Sequence, residues 1–203
     1  MKIICIGRNY IDHAKELDNP VPSSPMVFMK PSTALLIDDK PFFYPDFSKK
    51  IHYEVEIVLK ICKNGRHVEK EFAQNYYEEI GLGIDFTARD LQDNLKSKGH
   101  PWEIAKAFDF SAPVSKFIPI TGVPNSKEIN FTLTKNGSVV QVGNTIDLIF
   151  DFDTLICHIS KYFKLHIGDY IYTGTPAGVG PIEMGDVLVG AIEGKEMLTC
   201  EIK

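Results

Sequence analysis

Residues 51–61 read "IHYEVEIVLKI" and alternate in character. Ile51, Tyr53, Val55, Ile57 and Leu59 fall on one side of an extended chain; His52, Glu54, Glu56, Val58 and Lys60 fall on the other. This is a β-strand pattern, in which same-face residues lie ~6.6 Å apart. Two readings of the glutamates stay open. They form the wet face of a half-exposed antiparallel strand, or they lean together onto one cation. Asp85, which ends "IGLGID" (80–85), supplies a third carboxylate for the second reading. Three such groups brought together would repel, and a divalent cation would resolve that. Oxygen-only ligation suits Mg²⁺, Mn²⁺ or Ca²⁺ better than zinc. Spacing alone does not bring Asp85 to the glutamates.

The flanking sequence is mostly β. "KIICIG" (2–7) reads as a short buried strand, and "MVFMKPSTALLI" (26–37) as an edge or bend, because Pro31 interrupts it. "NYIDHAKELD" (9–18) has helical spacing, with Tyr10, Ala14 and Leu17 on one side. "EKEFAQNYYEEI" (69–80) reads as a helix. "TARDLQDNLKSKG" (87–99) reads as a helix with a capping box, Thr87 as N-cap and Asp90 at N3, ending at Gly99. "INFTLTKNGSVVQVG" (129–143) is a hairpin about Asn136-Gly137. "DFDTLICHISKYF" (151–163) is a helix, "DYIYTGTPAGVGP" (169–181) a strand running into a Gly/Pro loop, and residues 186–203 a final strand pair. The class expected is α+β, predominantly β: a sandwich or roll with a few short helices.

Composition narrows the function. The chain has 203 residues, 44% hydrophobic, which suits one core and one domain, residues 1–203. A net charge of -5 with no basic face argues against nucleic acid. No apolar run approaches the roughly 20 residues that span a bilayer, so no membrane role is expected. The N-terminal apolar stretch is too short and too soon polar for a signal peptide. Cys5, Cys62, Cys157 and Cys200 are scattered among apolar neighbours, as reduced core thiols of a cytoplasmic protein would be.

Six blocks, in order, carry a resemblance: "GRNYIDHAKE", "MKPSTALL", "HYEVEIVL", "GIDFTARDLQ", "KGHPWEIAKAFD" and "YTGTPAGVGP". Together they resemble the fumarylacetoacetate hydrolase superfamily from residue 7 to about 190. The match looks like its single-domain acylpyruvate hydrolase and oxaloacetate decarboxylase branch, without the extra N-terminal domain of larger members. The resemblance implies a mixed β-sandwich or roll of the fumarylacetoacetate hydrolase C-terminal type, usually a homodimer. It implies Mg²⁺ or Mn²⁺ on Glu54, Glu56 and Asp85, a catalytic pair His13 and Glu16, and a site lysine, Lys106. It places Arg89, Gln92 and Thr175 near the substrate. His100, before Pro-Trp, and "SAPVSKF" (111–117) depart from the usual wording and bear on which substrate fits.

Each site residue has a plainer reading. His13 and Glu16, three apart on a helix, share a face and could be a surface pair; the functional reading is an imidazole that takes a proton from water, held by Glu16. Lys106 could snorkel to solvent, or pair with metal carboxylates or developing oxyanion charge. Arg89 could be a surface charge or a fork for a substrate carboxylate. The loop "TGTPAGVGP" lacks the Gly-Lys-Ser/Thr of a phosphate loop; it is a tight turn, or it binds a carboxylate through Thr173, Thr175 and backbone N–H groups. His52 is a neighbour of the metal set rather than a ligand. The expected activity is metal-dependent C–C hydrolysis of an acylpyruvate, a small 2-oxo acid, releasing pyruvate. Oxaloacetate decarboxylation and keto–enol tautomerisation are alternatives on the same site. A dicarboxylate-binding protein without catalysis is the alternative of another class, and a structural Ca²⁺ site a third.

Overall fold

The computed structural model describes residues 1–16, 18 and 20–203. Leu17, assigned to an apolar helix side by its spacing, lies outside them. Four α-helices are described: α1 (Ile11–Glu16), α2 (Arg89–Ser97), α3 (Glu103–Lys106) and α4 (Phe152–Tyr162).

A six-stranded mixed sheet forms the centre. Its order is Met26–Lys30, Ile3–Gly7, Tyr170–Tyr172, Val55–Ile61, Tyr77–Ile84 and Ile118–Pro119. Ile3–Gly7 runs parallel to Tyr170–Tyr172; the other pairings are antiparallel. Met26–Lys30 is an edge strand, and the chain leaves it at Pro31, where a missing N–H is tolerated. A second sheet, wholly antiparallel, is built from Ser138–Asn144, Asn130–Lys135, Val187–Ile192 and Lys195–Glu201. The two sheets share one core, in which Ile57, Leu59, Leu82 and Ile84 join Phe131, Leu133, Leu188 and Leu198. They come very close at Gly190, where a Cβ would stand 2.4 Å from the Leu82 side chain. The opposite face of the central sheet is covered too, by a cluster that includes Ile3, Cys5, Val58, Val114 and Tyr172. This is the α+β, mainly β architecture expected.

Residues 51–61 differ from the single strand that their alternation predicts. Ile51–Tyr53 pairs with Thr87–Ala88 and Gly180–Pro181 in a small three-stranded sheet, whereas Val55–Ile61 belongs to the central sheet. The chain changes sheets at Glu54. Residues 51–59 are buried throughout, so the wet-face reading of the glutamates is excluded.

Three local expectations give way to tertiary pairing. The helix over 69–80 is a 3₁₀ segment, Lys70–Tyr76, followed by the strand Tyr77–Ile84. There Leu59 and Ile118 flank Ile80, and ladder hydrogen bonds outweigh local helix propensity. The capping box on α2 does not form: Thr87 pairs with His52 in a strand, and the Asp90 carboxylate accepts instead from Ser48 Oγ at 2.6 Å and Lys49 N at 3.0 Å. The thiols are all free, but Cys62 and Cys157 are only half-buried, so Cys5 and Cys200 alone are core cysteines. Other signals behave as read. Asp151 caps α4 by accepting from Thr154 N at 2.8 Å, and Asn136 and Gly137 take φ of 53° and 80°, as the two-residue hairpin turn requires.

Candidate active site

The sheet switch at Glu54 and the end of the Tyr77–Ile84 strand place three acids together. Asp85 N donates to the Glu54 carbonyl at 2.8 Å, which locks the two segments side by side. One ligand oxygen from each of Glu54, Glu56 and Asp85 lies within 4.8 Å of the other two. The residues are 5%, 2% and 1% exposed. Isolated carboxylates buried this deeply would be prohibitive, so their partners decide what the site is.

Glu54 and Asp85 are held by cations. Lys106 Nζ donates to Glu54 Oε2 at 2.7 Å and to Asp85 Oδ2 at 2.6 Å. Arg89 donates to Glu54 Oε1, and Lys30 Nζ stands 2.7 Å from Asp85 Oδ1. Burial alone would raise the Glu54 carboxyl, but Lys106 and Arg89 outweigh it and hold it well below the usual range. For Lys106 burial disfavours the charge, and Asp85 and Glu54 more than restore it. Its side chain is 5% exposed, which removes the snorkelling reading.

Glu56 is different: it has no cationic partner among the described residues. Gly174 N donates to its Oε2 at 2.6 Å, while burial and then Asp85 push its carboxyl well above the usual range. Gly174 has φ +111°, and a Cβ there would stand 2.6 Å from Asn9 Cβ, so only glycine lets the backbone approach. Asp85 Oδ1, although near Lys30, accepts no well-directed hydrogen bond. A clustered oxygen donor set with one uncompensated acid and one free lone-pair direction fits a divalent cation such as Mg²⁺ or Mn²⁺.

His13 and Glu16 are not a surface pair. His13 is 5% exposed and lines the cavity over the three acids. Its Nδ1 faces Glu16 Oε2 at 3.4 Å, and Glu16 also accepts from Gly178 N at 3.0 Å, tying α1 to the Gly/Pro loop. Burial lowers the imidazole's pKa, against the opposing pull of Glu54 and Glu16, so the ring is a neutral proton acceptor at pH 7.

Arg89, Gln92 and Thr175 also line the cavity, but each is engaged. The Arg89 fork is turned onto Glu54 and donates to Gln92 Oε1 at 2.5 Å. Thr175 Oγ1 accepts from Gln141 Nε2 at 2.8 Å. The loop N–H of Gly174 serves Glu56, and the Thr173 hydroxyl donates to the Ile57 carbonyl. His52 is absent from the cavity lining; both its ring nitrogens are buried without partners, and burial, Arg89 and Lys50 push its pKa down to about 4. Exposed His100 lines a different cavity, of about 380 Å³, which shares Phe28, Trp102 and Lys106 with the acidic one.

Several site residues escape a reading by motif. Lys30 is one, and a lysine inside the apolar run "VFMKP" is a signal that could have found it. Gln141 is another: its Oε1 accepts from Val55 N at 2.9 Å exactly where the chain changes sheets, and nothing in the hairpin sequence marks it. Arg8 and Lys96 complete the cavity wall.

The sequence profile of the family described as fumarylacetoacetate (FAA) hydrolase C-terminal matches residues 2–203. The chain is 40% identical over 192 residues to the oxaloacetate tautomerase FAHD1, mitochondrial, of Bos taurus, covering 95% of this chain and 87% of that protein. It is 40% identical over 201 residues to the oxaloacetate tautomerase YcgM of Escherichia coli, covering 98% and 91%. Among solved structures it superposes on fumarylpyruvate hydrolase from Pseudomonas aeruginosa, in complex with Mn²⁺ and pyruvate, with a TM-score of 0.94 and 34% identity, over 100% of this chain and 89% of that one.

Proposed function

Because this chain belongs to the fumarylacetoacetate hydrolase C-terminal family, we propose that it is a divalent-metal-dependent enzyme acting on small 2-oxo acids. The observation that carries this reading is the buried set of Glu54, Glu56 and Asp85 beneath a neutral His13. Mg²⁺ or Mn²⁺ on those three residues supplies a Lewis acid for the substrate's carbonyl. His13 moves the proton through the ring nitrogen opposite Glu16, which fixes the ring's orientation. Lys106, between Glu54 and Asp85, lies ready to meet negative charge as it develops. Thr175, Gln92 and Arg89 position the substrate from the cavity wall.

The leading reaction is keto–enol interconversion of oxaloacetate, the activity named for the two relatives above. A specific feature favours a second reaction at the same site, hydrolysis of an acylpyruvate: the paired His13 and Glu16 can activate water, and the superposed Pseudomonas protein is named a hydrolase of this kind. Oxaloacetate tautomerisation and acetylpyruvate hydrolysis are both expected to need Mg²⁺ or Mn²⁺. Undiminished turnover after chelation would dismiss the metal role, and stabilisation by metal and oxalate with no turnover would favour a binding protein.

His13→Ala should lower acylpyruvate hydrolysis by about 10²–10⁴-fold. Decarboxylation of oxaloacetate, which needs no attacking water, should fall less; equal loss of both removes the water-activation role. In the parent, a depressed His13 stays neutral as the pH falls past its ordinary 6.5, so the acid limb of kcat/KM for hydrolysis should lie below that value.

We read residues 1–203 as one catalytic domain, supported by the match over 2–203 and the core shared by both sheets. A homodimer is proposed with it. Exposed Phe47 and Ile104 border an open apolar hollow that a second copy could cover, and a monomer by sedimentation velocity would dismiss it. Four free thiols suit a reducing compartment; we place this chain in the cytoplasm, whereas the Bos taurus relative is named mitochondrial, and cell fractionation distinguishes the two. No helix among the described residues is long and apolar enough to cross a membrane.

A further inference from the structure

Two cations on the wall of the acidic cavity, Arg8 and Lys96, have no carboxylate partner among the described residues. Both are half-buried. Lys96 follows Arg89 and Gln92 at helical spacings of seven and four, so α2 turns all three toward the same space. Its ammonium lies 5.4 Å from the centre of the Trp102 ring, another wall of that space. Arg8 directly follows the strand Ile3–Gly7 with a left-handed φ of 57°, at a cost of about 1–2 kcal/mol for a residue with a Cβ. Asn9 pins this turn: its side chain donates to the carbonyls of Thr173 and Phe150, at 2.8 and 3.0 Å, and accepts from Phe150 N at 2.8 Å. Burial, then the nearby charges of Arg89 and Arg8, push the Lys96 pKa below its ordinary value, against the weaker opposing pull of Asp93 and Glu54. An anion between Arg8 and Lys96 would relieve that crowding.

The space over the acids measures about 30 Å³. That is roughly the volume of one water, so any part of a 2-oxo acid beyond the atoms nearest the acids lies against the lining residues. The rest of the substrate must extend along the cavity wall. Arg89, which also faces the substrate, shares its charge with Glu54, which leaves Arg8 and Lys96 as the cations of that wall without a carboxylate partner among the described residues.

We propose that Arg8 and Lys96 bind the distal carboxylate of the substrate, so that the site binds 2-oxo dicarboxylic acids more tightly than monocarboxylic ones such as acetylpyruvate, which it still turns over. This rests on the 2-oxo acid reading above and narrows it to a substrate class. The two residues are specificity determinants and take no part in proton transfer.

The test uses metal-saturated protein at about 0.15 M salt, where long-range charge effects are screened. KM for oxaloacetate is measured beside calorimetric affinities for pyruvate and oxalate, which have no distal carboxylate. In Arg8→Met and Lys96→Met, KM for oxaloacetate should rise at least ~10-fold, equivalent to about 1.4 kcal/mol. Affinities for pyruvate and oxalate should stay within about two-fold, and Lys96→Arg should restore KM. Arg8→Gln replaces Arg8→Met if the latter fails to fold. An unchanged KM, or parallel loss of pyruvate and oxalate binding, overturns the proposal. So does parent protein that binds pyruvate as tightly as oxaloacetate. Parent protein that binds neither oxalate nor pyruvate and turns over no 2-oxo acid defeats the underlying reading instead, and the clamp with it.

Discussion

Replacing Glu56 with Gln is expected to abolish divalent-metal binding while leaving the metal-free protein as stable as the parent, or more so. Burial and Asp85 keep the Glu56 carboxyl protonated well above its ordinary range, and its hydrogen bond comes from Gly174 N. A glutamine carbonyl can accept that same bond and carries no charge to bury, so the metal-free fold loses nothing. The metal loses one of three anionic oxygens. Parent protein should gain about 2.7 kcal/mol at a metal concentration of 100 Kd, and Glu56→Gln essentially none, with turnover falling by at least about 10³-fold. Mn²⁺ calorimetry and thermal melts read both effects; affinity retained within ten-fold of the parent would show that Glu56 is not a ligand.

The same carboxyl makes stability and metal affinity depend on pH in opposite directions. Its folded pKa lies above its unfolded one, so the stabilisation is complete below the ordinary carboxylate range and is lost as the pH rises through the folded value. Metal binding must displace that proton, so affinity should climb over the same interval. In Glu56→Gln the loss of metal-free stability on raising the pH should shrink.

Lys30→Met is expected to lower stability by about 3–5 kcal/mol, the cost of breaking a buried ion pair, although Lys106 stays on the other Asp85 oxygen. Lys30 Nζ is fully buried, 2.7 Å from Asp85 Oδ1. It donates to Ser111 Oγ at 2.9 Å and to the Ser111 carbonyl at 3.1 Å, and also contacts the Lys106 carbonyl. Methionine fills the volume but returns none of these bonds. For a chain of this size the change corresponds to a fall in Tm of roughly 6–20 °C. Saturating Mn²⁺ should recover part of it, because the ion would take over the charge of Asp85. A loss under about 1 kcal/mol, or no recovery with metal, would show that Lys30 does not balance the acidic set.

Much of the fold was legible because it rests on local rules. The alternation of residues 55–61, the Asn136-Gly137 turn and the Asp151 cap each depend on neighbours a few residues away. Where a distant segment competed for the same groups, local reading failed. Asp90 looked like the N3 partner of a Thr87 capping box, yet Ser48 and Lys49 took its oxygens, and the last four residues of the 69–80 segment joined a sheet. The acidic triad could be named from the family resemblance, but its chemical state could not.

The sequence by itself determined which residue types are present and which share a strand face or a helix face. Glu54 and Glu56 are two apart, and His13 and Glu16 three apart, whatever surrounds them. Only the tertiary structure decided the charge of Glu54, Glu56 and His13. Lys30, Lys106 and Arg89 reach Asp85 and Glu54 from between 21 and 55 residues distant in the chain, leaving Glu56 as the uncompensated acid. The physical reason is that ion pairing and desolvation depend on separation in space and on the exclusion of water, and neither is encoded in spacing along the chain.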